Sequence, residues 1–212
     1  MFIELIDLLR CVNAHEDTWL VASFKSVSNR FVLDGTLGCP ICSAKYPITT
    51  GVADFTAGAD LPRRKSGQWA ATLEREEIAT RAGAFLDVTE PGAMVVLGGS
   101  WASAAQELSL MTGARVLSLN PESGVEESET VGLVLVGSEI PVAPGSVLGV
   151  ALDASFPAGI VASAVKAVRP AGRIVGPTAI PPPGELTVLA RDEDYWVARK
   201  APEVIKLSRA GR

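Results

Sequence analysis

The run Ala93-Met94-Val95-Val96-Leu97-Gly98-Gly99 sets the fold class of this chain. Five consecutive apolar residues without a polar face are typical of a strand that is buried on both sides in a parallel sheet. The glycine pair that follows is typical of a tight turn from a strand into a helix. The stretch therefore predicts the first strand of an α/β unit.

Strands and helices alternate on the C-terminal side of this run. Helices are predicted over residues 74–86, 103–111 and 158–168, strands over 93–97, 115–119, 131–136, 147–152 and 173–175, and a closing pair over 186–190 and 195–199. Gly113 provides a C-terminal glycine for the second helix, and Pro170 stops the third. This alternation predicts an α/β domain over residues 76–212, a Rossmann-like, mostly parallel sheet with helices on both faces.

The N-terminal quarter contains all three cysteines of the chain and its one histidine. Cys11 and His15 are spaced as C-x3-H, and Cys39 and Cys42 follow as C-x2-C. Two close pairs of nitrogen and sulfur donors are what a tetrahedral zinc site requires, and four protein ligands leave no position for water. The spacing therefore predicts a structural zinc ion. The alternative is a buried Cys11, a surface His15 and a redox or incidental pair at Cys39 and Cys42.

Composition divides the chain into a small unit, a linker and a larger unit. Residues 1–57 are predicted to form a zinc-ribbon module, with a short amphipathic helix over residues 2–10 and strands over residues 18–24 and 31–33. Residues 58–75 are predicted to be a linker, because the sequence there is rich in Gly, Pro and Arg and has no hydrophobic period.

Residues 37–55 resemble the zinc-ribbon family of small proteins that activate tRNA and release-factor methyltransferases. The shared features are the Cys39/Cys42 pair, the Tyr46-Pro47-Ile48 motif and the glycine turn at Gly51, and residues 5–11 match that family's opening. The resemblance covers residues 1–55 and implies a zinc-stabilised module. His15 departs from the pattern, because relatives usually carry a second Cys-x-x-Cys pair there.

Residues 76–200 are similar to class I S-adenosylmethionine-dependent methyltransferases. Residues 165–175 resemble the family's helix, Pro-Gly turn and fifth strand, and residues 95–102 lie where its cofactor loop belongs. The resemblance implies that Gly98, Gly99 and Asn120 would be the cofactor-binding residues. Their backbone and side-chain groups would hold the amino end and the ribose of the nucleoside, as in other nucleotide-binding βαβ units.

This second resemblance fails at the residues that hold the cofactor. Val96 and Asn120 stand where acids are expected, Ser100-Trp101-Ala102 replaces further glycines, and an expected acid near Ser138 is absent. Losing a charge-assisted hydrogen bond costs about 1.5–3 kcal/mol, so two or three losses weaken binding by orders of magnitude. We also expect the Trp101 indole to occupy space that the ligand would need.

Composition limits the function classes further. The chain has 212 residues and a net charge of −5, which argues against nucleic acid as a partner. Three cysteines do not make a paired disulfide framework, and no run is long and apolar enough for a transmembrane segment, so a cytoplasmic location is predicted. Asp153, at the end of a predicted strand, is either a base or substrate contact or a helix N-cap.

Two functional hypotheses remain. The first is a non-catalytic methyltransferase-like protein, a pseudoenzyme that acts as a zinc-stabilised interaction module or accessory subunit for a protein partner. With His15 assigned to zinc, no histidine is left for acid–base catalysis. The second is an active S-adenosylmethionine-dependent methyltransferase with an atypical cofactor loop.

Overall fold

A computed structural model describes residues 1–58, 72–121 and 125–202 of the chain. Its strands are β1 (Val21–Ser28), β2 (Phe31–Gly38), β3 (Lys45–Thr49), β4 (Val52–Phe55), β5 (Met94–Gly98), β6 (Arg115–Leu119), β7 (Val131–Val136), β8 (Val147–Ala151), β9 (Val168–Pro177), β10 (Leu186–Arg191) and β11 (Tyr195–Lys200). Its α-helices are α1 (Ile3–Ile6), α2 (Thr72–Leu86), α3 (Ala105–Thr112) and α4 (Ala158–Ala167), and a 3₁₀ helix spans Gly99–Ala104. None of the described helices is long and apolar enough to span a membrane.

All eleven strands belong to one sheet, in the order β1-β2-β3-β4-β7-β6-β5-β8-β9-β11-β10. The six strands from β4 to β9 in this order run parallel to their neighbours, and antiparallel strands extend the sheet at both ends. The order of the central strands reverses at β5, as in doubly wound nucleotide-binding folds. The expected α/β class is therefore present, in a mixed sheet.

Most elements of the larger unit lie close to their predicted positions. β6 and β7 match residue for residue, and Gly113 ends α3 with a left-handed φ of 70°. The prediction for the fifth strand was too short: β9 begins at Val168, directly after α4, and includes Pro170. Pro170 is exposed and lies before the register becomes regular at Arg173, so its missing N–H is tolerated there.

Helices cover both faces of the sheet, but unevenly. One core contains α2, the 3₁₀ helix and α3, and the other contains α1 and α4. The prediction that helices separate the strands holds for β5–β6 and β8–β9. Among the described residues, no helix connects β6 to β7 or β7 to β8. The α4 face of the sheet therefore needs another cover.

The N-terminal segment, residues 1–9, provides that cover. Met1, Leu5 and Leu9 are fully buried in the same core as α4. Leu5 packs so closely on β7 that a Cβ at Gly132 would come within 2.9 Å of its Cδ1 atom. The predicted helix over residues 2–10 was too long, because α1 ends at Ile6. The segment then pairs in a β-bridge between Leu9 and Val142.

Strands β1 to β4, which include the predicted ribbon strands, join the rest of the sheet through β4, which pairs in parallel with β7 from Val52 to Phe55. The hairpin before it turns at Thr50 and Gly51, both with positive φ, as two-residue turns require. The strand predicted over residues 18–24 lies further along the chain, as β1, and the strand predicted over residues 31–33 begins where expected but extends to Gly38, as β2. The division into units at residues 57 and 76 stays a prediction, and residues 59–71 of the predicted linker lie outside the described residues.

Candidate functional site

The four predicted metal ligands lie together at one end of the ribbon strands. Cys11 and His15 come from the loop between α1 and β1, and Cys39 and Cys42 from the turn between β2 and β3. One donor atom from each residue lies within 4.8 Å of all the others. The backbone N–H of Ser43 donates to the Cys39 carbonyl at 3.0 Å and closes the turn that brings the two thiols together. The positive φ of Ser43, 60°, belongs to the same turn.

The donor atoms of the cluster are arranged as a tetrahedral site requires. The Cys11 and Cys42 sulfurs are 3.6 Å apart, and the Cys39 sulfur is 3.3 Å from His15 Nε2. Zinc with Zn–S bonds of about 2.3 Å separates tetrahedral sulfurs by about 3.8 Å. His15 Nδ1 lies 2.6 Å from the Glu16 carbonyl, which can only accept, so Nδ1 carries the proton and Nε2 offers a lone pair.

Neighbouring donors stabilise the thiolate of Cys42. The Asn13 amide donates to Cys42 Sγ at 3.3 Å, and the Tyr46 hydroxyl lies 3.0 Å from Cys11 Sγ. The backbone N–H of Ala44 and then the Asn13 amide lower the pKa of Cys42 to about 6. Burial raises the pKa of Cys11 and of Tyr46. Sequence reasoning did not assign a role to Asn13 or Tyr46, although Tyr46 belongs to the motif that carries the ribbon resemblance.

This donor set suits zinc and suits a structural role. Three thiols and an imidazole are soft donors, and four protein ligands complete the coordination of zinc without water. Bound zinc would link the segment after α1 to the β2–β3 turn and would supply folding energy rather than catalysis. Zinc binding itself stays a prediction.

The loop after β5 is covered by side chains from the end of β8. A Cβ at Gly98 would meet Phe156 and Leu152 within 2.8 Å, and a Cβ at Gly99 would clash with the Asp153 carboxyl group. Gly99 has a φ of 72°, so glycine is needed there on conformational grounds as well. Gly98 and Gly99 therefore lie against the protein's own residues, where a cofactor loop would present its backbone to a ligand.

Asp153 also takes up the hydrogen-bonding capacity of this loop. Its carboxylate accepts the backbone N–H of Ser100 at 2.7 Å, and it accepts the backbone N–H of Ser155 at 3.0 Å as well as the Ser155 hydroxyl. Of the two predicted roles, the N-cap is wrong, because α4 has Pro157 at its N-cap position and no side-chain cap. Asp153 instead connects the end of β8 to the loop after β5.

Asn120 is engaged in the same way at the end of β6. Its Nδ2 donates to the Val136 carbonyl at 3.1 Å, and its Oδ1 accepts the Val136 N–H at 2.7 Å. The side-chain amide thus pairs with both backbone groups of the last residue of β7 and continues the ladder between β6 and β7. A ribose hydroxyl would have to compete with these two bonds.

Trp101 lies elsewhere than the sequence predicts. The indole is 3% exposed and belongs to the core beneath α2. Its ring packs edge-on against Phe85 and Tyr195, with centroid distances of 6.2 and 5.0 Å. The expectation that Trp101 fills the ligand space of the loop is therefore wrong. Leu152, Asp153 and Phe156 cover the loop instead.

A cleft opens beside the loop, on the side of α2. It has a volume of about 270 Å³ and is lined by Glu74, Glu77, Ile78, Arg81, Ser100, Trp101 and Tyr195. Glu77 and Arg81 form an ion pair at its rim. Gly98, Gly99 and Asn120, which the methyltransferase resemblance assigns to the cofactor, are not among its lining residues.

Comparison with known proteins supports the fold. The chain is similar to the crystal structure of the [4+2]-cyclase SpnF, at 9% identity and a TM-score of 0.51, over 66% of this chain and 86% of that one. A looser match is a protein from Galdieria sulphuraria provisionally assigned as a sarcosine dimethylglycine methyltransferase, at 17% identity and a TM-score of 0.40. That match covers 56% of this chain and 54% of the Galdieria protein.

A third match is a chain of the complex between the Haloferax volcanii Trm112 methyltransferase activator and a provisionally assigned methyltransferase. It is 17% identical, with a TM-score of 0.35, over 48% of this chain and 55% of that one. No protein-family model matches the chain, and no curated protein matches it in sequence. At 9% identity and a TM-score of 0.51, the SpnF match supports a Rossmann-like α/β fold and leaves the activity open.

Proposed function

We propose that this protein is a non-catalytic member of the methyltransferase-like fold class that serves as a zinc-stabilised accessory or structural subunit of a larger complex. The observation that carries the proposal is the Asp153 carboxylate, which lies against Gly99 and accepts the Ser100 N–H. In a nucleotide-binding βαβ unit, that backbone N–H faces the ligand. Here the Asp153 carboxylate accepts that N–H in place of a ligand.

The energetics favour the closed loop. A ligand would have to displace the carboxylate from two backbone N–H groups and compete with Val136 for the Asn120 amide. Hydrogen bonds to charged groups contribute about 1.5–3 kcal/mol each. The residue directly after β6 is Asn120, whose amide does not supply the charge-assisted bond that would repay this loss. S-adenosylmethionine binding is therefore not expected.

The ribbon fits a bracing role within the same molecule. β4 adds to the parallel sheet beside β7, and residues 1–9 cover a face that has no crossover helix among the described residues. Zinc would link the segment that covers the sheet to the strands that lead into β4, because Cys11 follows residues 1–9 and Cys39 precedes β3. We infer that the ribbon stabilises the larger unit, which leaves the outer surfaces free for a protein partner in the cytoplasm.

Thermal unfolding with S-adenosylmethionine tests this function. A ligand at 1 mM with a Kd of about 10 μM would stabilise the protein by about 2.7 kcal/mol and raise the midpoint by about 5–10 °C. We expect no rise. Removal of zinc by a chelator in the same assay should lower the midpoint and thus demonstrates that the assay responds. A rise of several degrees with S-adenosylmethionine would contradict the proposal.

The alternative is a methyltransferase with an atypical cofactor site, and the cleft beside α2 favours it. The cleft adjoins Ser100 and Trp101 and lies at the carboxyl end of the parallel strands, where α/β enzymes bind ligands. A ligand there would bind without Gly98, Gly99 or Asn120. If S-adenosylmethionine raised the unfolding midpoint by binding in this cleft, Tyr195→Ala would abolish that rise, whereas Asn120→Gly would not.

A further inference from the structure

The three cysteines of the predicted zinc site differ in how far solvent reaches them. Cys39 is 3% exposed, Cys11 is partly buried, and Cys42 lies on the surface. A thiol that binds zinc is deprotonated, so all three would be thiolates, and exposure then decides which of them an oxidant attacks first. The structure therefore makes Cys42 the first target of an oxidant in solution.

Cys11 is placed to react with an oxidised Cys42. Their sulfurs are 3.6 Å apart, about 1.5 Å more than the length of a disulfide bond. Residues 11–18 contain no helix or strand, so the Cys11 side of the pair can adjust without breaking a backbone ladder. A disulfide between Cys11 and Cys42 therefore needs only a local movement.

Cys39 is less well placed, although it lies in the same turn as Cys42. Its backbone N–H donates to the Ala44 carbonyl at 2.8 Å, and its carbonyl accepts the Ser43 N–H at 3.0 Å. Its sulfur accepts the Cys42 N–H at 3.5 Å and lies 3.3 Å from His15 Nε2. These contacts hold Cys39 on the buried side, so a bond between Cys39 and Cys42 would have to distort the turn.

We propose, on the basis of the zinc site in the proposed function, that hydrogen peroxide oxidises Cys42, that Cys11 then forms a disulfide with it, and that the site releases its zinc. The Cys42 thiolate attacks one peroxide oxygen and breaks the O–O bond, and the departing hydroxide takes a proton to become water. The Cys11 thiolate then attacks the sulfenic sulfur, breaks the S–O bond and releases a second hydroxide, which becomes water. The two sulfurs lose two electrons, and peroxide gains them.

The disulfide would preserve the link that zinc provides. It removes two of the four ligands, so only Cys39 and His15 remain, and the ion is released. It also joins the end of the covering segment, residues 1–9, to the turn before β3, whereas a bond between Cys39 and Cys42 would leave that segment untied. A cross-link of this kind stabilises the fold. The oxidised protein should therefore unfold at a higher temperature than reduced protein from which a chelator has removed zinc, and equal midpoints would contradict the proposal.

Peptide mapping tests the bond directly. Zinc-loaded protein is treated with a few equivalents of hydrogen peroxide, unfolded in the presence of a thiol-blocking reagent and cut with trypsin. Trypsin cleaves after lysine and arginine, so the peptide 11–25 holds Cys11 and the peptide 31–45 holds both other cysteines. We expect these two peptides to be joined, with the blocking group on Cys39, and zinc to be released in proportion to the disulfide formed.

Other products would overturn the proposal. These are a bond within the peptide 31–45, a bond from Cys11 to Cys39, and zinc that stays bound after the treatment. The zinc content before treatment tests the zinc site separately. Protein that binds zinc but forms the wrong bond contradicts this proposal alone, whereas protein that binds no zinc contradicts the zinc site of the proposed function as well.

The rate of zinc release tests whether Cys42 reacts first. Asn13→Ala keeps all four ligands and removes the amide that donates to Cys42 Sγ at 3.3 Å. Because that bond draws electron density from the sulfur, its loss should speed zinc release by peroxide about threefold, the effect of one unit of basicity at a Brønsted slope of about 0.4–0.5. Thr18→Ala, whose hydroxyl donates only to the Trp19 carbonyl, is the control and should react as the wild type does. An unchanged rate in Asn13→Ala would place the first attack on another cysteine and overturn the proposal.

Discussion

At the scale of single residues, Asn120 makes structural hydrogen bonds at a position that the methyltransferase resemblance assigns to the cofactor. Its backbone is left-handed, with a φ of 47°, and its side-chain amide bonds both backbone groups of Val136. Asparagine is one of the few residues that tolerate this conformation. The sequence identifies the position correctly as the end of the second parallel strand, but it does not show that the amide is already occupied.

Substitution of Asn120 separates the structural from the ligand-binding role. Asn120→Gly keeps the left-handed backbone and removes both hydrogen bonds, so it should lower the free energy of unfolding by about 2 kcal/mol. Asn120→Asp restores the acid of the methyltransferase pattern, but a carboxylate cannot donate to the Val136 carbonyl. It should therefore also destabilise. Urea unfolding measures both changes, and equal stability of the glycine variant and the wild type would refute the structural role.

The cysteine–histidine cluster gives a second prediction at this scale. Cys39→Ala removes a buried donor and should reduce zinc content to well under one ion per chain, with a lower thermal midpoint, because metal binding energy is also folding energy. Ile41→Ala, an exposed residue between the two cysteines, is the control and should keep its zinc. Elemental analysis of both purified variants measures their zinc content per chain. A full zinc complement without Cys39 would rule out the assigned ligand set.

At the scale of elements, the regular apolar strands are predictable and their partners are not. β6 and β7 follow directly from short apolar runs bounded by polar turns. The Cys-Pro-x-Cys turn is equally visible in the sequence. In contrast, the pattern of residues 1–9 predicts an amphipathic helix with one apolar face. It does not predict that this face covers β7. Contacts between residues 127 positions apart, such as Leu5 and Gly132, depend on topology rather than on local periodicity.

The covering role of the N-terminal segment predicts a large effect of one substitution. Leu5→Ala should reduce the free energy of unfolding by about 3 kcal/mol, because Leu5 is fully buried against β7 and the cavity would lie between α1 and the sheet. Leu110→Ala, on the exposed end of α3, should change it by less than about 0.5 kcal/mol. If the two variants unfold at the same urea concentration, the segment does not brace the sheet.

At the scale of the whole molecule, the chain forms one sheet where the sequence suggests two units. Composition changes sharply after residue 57, and this change reflects the ribbon's turns and cysteines. It does not reveal that β4 pairs with β7 or that one core contains both Tyr46 of the ribbon and Val134 of the parallel sheet. Inter-strand hydrogen bonds use backbone groups that every residue has, so strand partners across a linker leave little trace in a single sequence.

The loop after β5 illustrates the same limit for function. The sequence shows that Val96 and Asn120 stand where a methyltransferase would have acids, which suggests a lost cofactor site. The contact that covers the loop cannot be predicted from the sequence, because Asp153 reaches the loop from the end of β8, 53 positions away from Ser100. The sequence suggested the indole of Trp101 as the obstruction, whereas the structure shows Leu152, Asp153 and Phe156 in contact with the glycines.

The central claim is that the protein's own side chains close the nucleoside site. A crystal structure of the protein soaked in millimolar S-adenosylhomocysteine tests it most directly. We expect the Asp153 carboxylate to remain on the Ser100 N–H and the Asn120 amide on Val136, with no nucleoside density beside Gly98 and Gly99. A nucleoside bound at those glycines, with Asp153 displaced, would contradict the account.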